Sequence, residues 1–240
     1  MRYLFILVAL LVPVVAQADD LSEDRVKELV LEAIRENPGI VMEAVEILRQ
    51  REQAAQAEAI TSVLERNRDT LDNDPNAPVL GNPEGDVTVV EFFDYNCPYC
   101  RKVKPEIEAL LEADPNVRLV YREWPILGEG SVFAARAALA SRNQDKYEEF
   151  HWALMGMQGR AEEASVLRIA EQVGLDTAQL LGDMDSEEID EHIATSMRLT
   201  KELGFSGTPS FVIGDALVPG VIEANQMISL VDTVRNEKQE

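Results

Sequence analysis

The sequence predicts an α/β fold in two halves around a helical block, with a separate helical segment ahead of it. Three observations predict it. A β-branched and aromatic strand, Val87–Phe93, runs into a helix that opens at Cys97, and an alternating strand, Val117–Glu123, follows. Residues 128–203 carry helix signals and no strand signal. Two short strands, Ser210–Ile213 and 216–218, then flank Gly214–Asp215 as a hairpin, and a closing helix follows.

The elements are justified in chain order. Met1–Arg2, an apolar run over 3–15 and Ala16–Gln17–Ala18 have the layout of a secretory signal peptide, residues 1–18. The run is too short for a membrane span, which needs ~20 apolar residues. The expected destination is the periplasm of a bacterium. Residues 19–72 read as helical. Ser22 and the apolar set Val26, Leu29, Val30, Ala33 and Ile34 give a short amphipathic helix, broken at Asn37–Pro38–Gly39. A longer helix with a thin apolar stripe follows. Such helices cannot make a core alone and must pack either on the chain's own domain or on another copy of the chain, and self-association is the expectation. Residues 73–85, rich in turn residues and prolines, read as a linker.

Residues 86–240 read as the catalytic domain. The order β–α–β, helical block over about 128–203, β–β–α is that of a thioredoxin fold with a helical insertion. The formal net charge of the 240-residue chain is -22 at pH 7, which argues against nucleic acid or an anionic membrane as partner. The hydrophobic fraction of 46% is enough for a packed core without disulfide staples.

The chemistry lies in the only two cysteines, Cys97–Pro98–Tyr99–Cys100. A thiol at the first turn of a helix meets unsatisfied N–H groups and the positive end of the helix dipole, which favour thiolate. Pro98 suits the first helical position. Cys97 is therefore expected to be the exposed nucleophile and Cys100 the resolving thiol. A staple across so short a loop would stabilise by only about 2 kcal/mol. Structural zinc wants four Cys/His ligands, and only His151 and His192 remain, both read as satisfied helix residues. No cofactor is expected beyond the redox pair, and copper(I) capture by the reduced thiols stays as an alternative.

Glu91 stands in an apolar strand six residues before Cys97. It is either a buried proton acceptor for Cys100, with a raised pKa, or an edge-strand glutamate facing water. Pro105 should kink the motif helix. Pro209 after Thr208 is either a cis turn residue or an ordinary trans proline at a strand start. Met155 and Met157 read as capping the insertion, or as a lip that contacts apolar substrate. Trp124 reads as core.

These residues resemble the DsbA family of disulfide oxidoreductases. The carriers are Glu91–Phe92–Phe93–Asp94–Tyr95–Asn96–Cys97–Pro98–Tyr99–Cys100, Pro105, Trp124–Pro125–Ile126–Leu127–Gly128 and Gly207–Thr208–Pro209–Ser210–Phe211. The N-terminal helices, with Glu36–Asn37–Pro38 and Val41–Met42–Glu43–Ala44, are similar to the suppressor-of-copper-sensitivity (ScsC) branch. The resemblance implies that Pro209 is cis and that Thr208 and Pro209 line a peptide groove beside Cys97 and Cys100. It implies a homo-oligomer, in some members a trimer. Tyr99 and Thr208 depart from the strongly oxidising pattern, which has histidine and valine there, and look more like disulfide isomerases. The expected function is a periplasmic isomerase or reductase acting on exported, cysteine-containing proteins, with a membrane or periplasmic redox partner. The alternatives are a monomeric dithiol oxidase and a chaperone-like or copper(I)-binding protein.

Overall fold

The computed structural model describes residues 22–238, so the signal-peptide expectation for 1–18 lies outside them. The chain divides into two units, with the division between Gln56 and Ala57.

In the first unit, helix α1 spans Glu23–Glu36. It starts where the Ser22 hydroxyl accepts the Arg25 N–H at 3.3 Å, and Glu23 and Asp24 complement the positive end. It stops at Asn37, before Pro38. Helix α2 begins at Gly39 and runs to Asn73. Nothing in α1 is buried, and Val26, Leu29, Val30, Leu31, Ile40, Val41, Met42, Ile47 and Leu48 are all exposed.

The second unit is a five-stranded sheet with helices on both faces. The strands are β1 Val79–Gly81, β2 Val87–Phe93, β3 Val117–Glu123, β4 Ser210–Ile213 and β5 Ala216–Pro219, in the order β1-β3-β2-β4-β5. β2 and β3 are parallel, joined by helix α3 (Pro98–Ala113), and the other pairings are antiparallel. Side chains alternate across the strands. Val89, Phe93, Leu119, Tyr121, Phe211 and Ile213 share one core with Cys100, Val103 and Ile107 of α3. Val90, Phe92, Val120 and Val212 share the other with Leu199 and Leu203.

The insertion is helical as expected: α4 Glu129–Ala140, a 3-10 turn Ser141–Gln144, α5 Tyr147–Gly156, α6 Glu163–Gln172, α7 Thr177–Asp183 and α8 Glu187–Glu202. Helix α9, Ala224–Glu237, closes the chain. Met155 and Met157 are buried in the larger core, which removes the substrate-lip reading. Trp124 packs in the smaller core, as its strand-end position suggested.

Two boundaries are corrected. The N-terminal region does not extend to residue 72, because Leu64 and Leu71 of α2 are buried against the sheet face that carries Val90 and Phe92. Their spacing puts both on one helix face. Nor is 73–85 a free linker. Val79 pairs with Val120, Leu80 with Leu119, and the Tyr121 N–H donates to the Pro78 carbonyl at 2.9 Å. The prolines flank a three-residue strand too short to show an alternation. Arg122 fastens this stretch: wholly buried, it donates to Asp74 Oδ2 at 2.6 Å and to the Thr70 carbonyl.

Candidate redox site

The site sits where β2 ends and α3 begins. Asp94 makes the turn. Its carbonyl accepts the Cys97 N–H at 3.0 Å, and its Oδ1 accepts the Asn96 N–H at 2.7 Å. Its Oδ2 accepts the N–H groups of Ile126 and Leu127 at 2.8 and 2.9 Å, which anchors the loop after β3 beside the motif. Asn96 ties the motif to the insertion. Its Oδ1 accepts the Ala161 N–H at 2.8 Å, and its Nδ2 donates to the Ala161 carbonyl and Ser131 Oγ, both at 3.1 Å. Arg101 donates to the carbonyls of Tyr95 and Gly159. At Gly130 a Cβ would meet the Ala161 carbonyl oxygen at 2.2 Å, so only glycine lets α4 approach.

Cys97 is the N-cap of α3, and Pro98 is its first residue, as the motif predicted. The Cys97 thiol donates to the Thr208 carbonyl at 3.2 Å, across to the loop that ends in the cis Thr208–Pro209 bond. Cys97 is only 4% exposed, so the expectation of an exposed nucleophile is corrected: neighbouring atoms, the Thr208 carbonyl among them, cover it. Pro98 and Tyr99 are exposed, Tyr99 at 60%. Pro105 lies inside α3.

The two sulfurs are electrostatically unequal. The Cys97 thiol is pulled down to about 6, chiefly by the hydrogen bond from Cys100. Burial opposes this, while the Thr208 side chain and the N–H groups of Cys100 and Tyr99 assist. Cys100 is pushed well above the ordinary thiol range, by burial first, then by Cys97 and the Glu91 charge. Glu91 is wholly inside central strand β2, which removes the edge-strand reading. Burial, and then the Cys97 charge, raise its pKa well above the carboxylate range. Neither of its oxygens has a hydrogen-bond partner.

The structure brings Cys97, Pro98, Tyr99 and Cys100 together with Thr208 and Pro209, and places Glu91 in the core face beneath α3. His151 and His192 are buried helix residues: His151 Nδ1 meets the Tyr95 hydroxyl at 3.0 Å, and His192 Nε2 meets Glu123 at 2.7 Å. Burial, then Lys104, push His151 down to about 3. Sequence reasoning named Asp94 and Asn96 only within the resemblance, without a role, and passed over Arg101 and Tyr121. Asp94 and Asn96 stand directly before the motif and carry turn chemistry, which was a usable signal.

A thiolate-poised cysteine and a buried thiol at a helix N-terminus, on a thioredoxin fold, define a dithiol oxidoreductase. The DSBA-like thioredoxin domain matches residues 88–232, and the chain belongs to that family of thiol–disulfide oxidoreductases. The copper resistance protein ScsC N-terminal domain matches residues 23–55. A thioredoxin-like oxidoreductase from Silicibacter pomeroyi DSS-3 is 70% identical, with a TM-score of 0.70 over 71% of this chain and 98% of that one. Proteus mirabilis ScsC in a compact conformation is 27% identical, with a TM-score of 0.69 over 91% of this chain and 100% of that one. A Salinispora arenicola sequence described as Na(+)/H(+) antiporter NhaA 1 is 32% identical over 146 residues, 56% of this chain. The match spans 21% of that antiporter's length.

Proposed function

We propose that this chain is an exported, oligomeric disulfide isomerase and reductase that acts on cysteine-containing proteins of the periplasm. The observation that carries the reading is the Cys97 thiol, drawn to about 6 beneath the Thr208–Pro209 loop while Cys100 is pushed up. A strong oxidase needs a thiolate stabilised much further, with a pKa of about 3.5, because that is what makes its disulfide unstable. A thiol near 6 is ionised at neutral pH yet a better nucleophile, which suits attack on client disulfides.

In this reading Cys97 thiolate attacks a client disulfide. A bond forms between Cys97 and one client sulfur, and the other client sulfur leaves as thiolate. That thiolate can attack elsewhere in the client, which isomerises it. Otherwise Cys100 gives its proton to Glu91 and attacks Cys97, which releases a reduced client. Pro98 fixes the helix start, and Thr208 and Pro209 hold an extended client segment beside the sulfurs. Tyr99, Ile126 and Leu127 are exposed apolar surface on the motif and its anchored loop, suited to an unfolded client. The sulfur pair carries the electrons itself and needs no cofactor, and a separate redox partner resets it.

The uncovered apolar residues of α1 and early α2 support self-association, and several catalytic units on one assembly would raise effective concentration at a client. The test is reactivation of scrambled ribonuclease together with sedimentation. The expected result is Cys97-dependent reactivation by a multimer. Loss of nothing in Cys97→Ala would sink the redox reading, and a resting state found oxidised in cells would favour the oxidase.

A further inference from the structure

The loop from β3 to α4, residues 124–128, belongs to neither element. Its Trp124 N–H donates to the Phe93 carbonyl at 2.8 Å, and Pro125 has no N–H to give. The next two N–H groups, of Ile126 and Leu127, both go to one atom, Asp94 Oδ2. Asp94 is only 2% exposed, and its Oδ1 accepts the Asn96 N–H. Three donors converge on this carboxylate, which suits a side chain that only accepts. The Leu127 carbonyl is held as well, by Arg160 Nη2 at 3.1 Å, and the adjoining Ala161 is paired with Asn96. Leu127 is thus tied to the turn before Cys97 by two routes, through Asp94 and through residues 160–161. Yet the Ile126 and Leu127 side chains stay exposed.

We propose that Asp94 is a positioning residue that sets client preference: through Oδ2 it holds Ile126 and Leu127 in place beside the motif, and so favours disulfides flanked by apolar, extended chain. This rests on the client-surface reading of Ile126 and Leu127 given above, and names the residue that makes that surface selective.

Ordering a loop costs conformational entropy, and exposed apolar side chains bury nothing within the chain to offset it. The offset comes when a client covers them. A loop already held in place loses less freedom on binding, which raises affinity. The occupant that fits is the extended, apolar stretch around a misplaced disulfide, because a folded protein keeps such residues inside. A small polar disulfide gains nothing from the loop. A carboxylate that merely fastened the fold would instead act on every disulfide alike.

The full chain, reduced, is mixed with disulfide-linked dimers of a short peptide whose single cysteine is flanked by leucines in one series and by serines in another. Cys97 thiolate attacks the dimer and one peptide leaves as thiolate. Cys100 then loses its proton to Glu91 and displaces the second peptide, also as thiolate, which leaves the Cys97–Cys100 pair oxidised. Acid quench and chromatography give the second-order rate constants, and the readout is their ratio, leucine peptide over serine peptide. The native chain should show a ratio of about ten, the scale of covering part of two large apolar side chains. In Asp94→Ser the hydroxyl still accepts the Asn96 N–H, but no second oxygen is left for the loop, and the ratio should fall to about one. Ile126→Ser with Leu127→Ser changes exposed positions only and should lower the ratio equally, and adding Asp94→Ser should lower it no further. Loss of folded protein scales both rates alike and leaves the ratio intact, so a purely structural role does not mimic the result. Asp94→Asn, which offers three donors one accepting oxygen, replaces the serine variant if that does not fold, and its ratio should fall too. A native ratio above one that survives in the Asp94 variant overturns the assignment to Asp94, as does further loss in the triple variant. A native ratio of one overturns the client-surface reading beneath it. Reaction that survives in Cys97→Ala instead overturns the redox reading itself.

Discussion

The Asn96 carboxamide pairs with both main-chain groups of Ala161, accepting its N–H at 2.8 Å and donating to its carbonyl at 3.1 Å. One side chain thus does for residue 161 what a neighbouring strand would do. It fixes the loop between α5 and α6 to the residue directly before Cys97. Asn96→Ala leaves both groups of Ala161 without these bonds. The expected cost is about 1–3 kcal/mol, read as a lower denaturation midpoint at unchanged slope. Client turnover should fall as well, because the same carboxamide also holds Ser131 at the start of α4.

Cys97 alkylation should titrate near pH 6. Its thiol is lowered from 9.0 to about 6, so the rate with iodoacetamide should rise through pH 6 and level off well below the range of a free thiol. The same shift makes the reduced protein gain stability. A depressed folded pKa contributes fully above the unfolded value, near 9, and the contribution is lost as pH falls through about 6. The stability advantage of the reduced chain over Cys97→Ser should therefore grow between pH 6 and 9, read as the difference between their melting temperatures.

Glu91→Gln should stabilise the reduced protein at neutral and alkaline pH. The folded pKa of Glu91 lies well above 4.5, so above pH 4.5 the unfolded chain gives up a proton that the folded chain keeps. Stability then falls with rising pH from about 4.5 until the folded pKa is passed. Glutamine cannot ionise and escapes this. Melting temperatures of the two proteins should coincide near pH 4 and diverge by several degrees at pH 8, the variant being higher. Equal curves at both pH values would remove the buried charge from the account.

Much of this was legible in the chain, and the reasons for the rest are physical. The Cys97 cap, Pro98 at the helix start and the helical insertion followed from local chemistry and periodicity. The cover over Cys97 did not, because the Thr208 carbonyl reaches it from 111 residues away. Tyr121 reads as one more apolar position of an alternating strand until the parallel register sets it beside Glu91. Strand β1 hides between prolines, and only its pairing with β3 reveals it.

That corrected boundary decides where the chain can be cut. Leu64 and Leu71 are buried with Val90, Phe92 and Val120, and Ala77 and Leu80 are buried too. A chain beginning at Ala57 keeps all five strands and both cores. It should fold, sediment as a monomer and still reduce insulin disulfides, while reactivation of scrambled ribonuclease falls. A chain beginning at Asn82 lacks β1 and uncovers the sheet face beneath Leu64 and Leu71. Each large buried side chain lost from such a core costs about 2–5 kcal/mol, comparable to the whole stability of a domain when summed. The shorter chain should therefore unfold or aggregate, which circular dichroism and gel filtration would read directly. Equal stability of the two chains would mean that α2 and β1 do not belong to the catalytic unit.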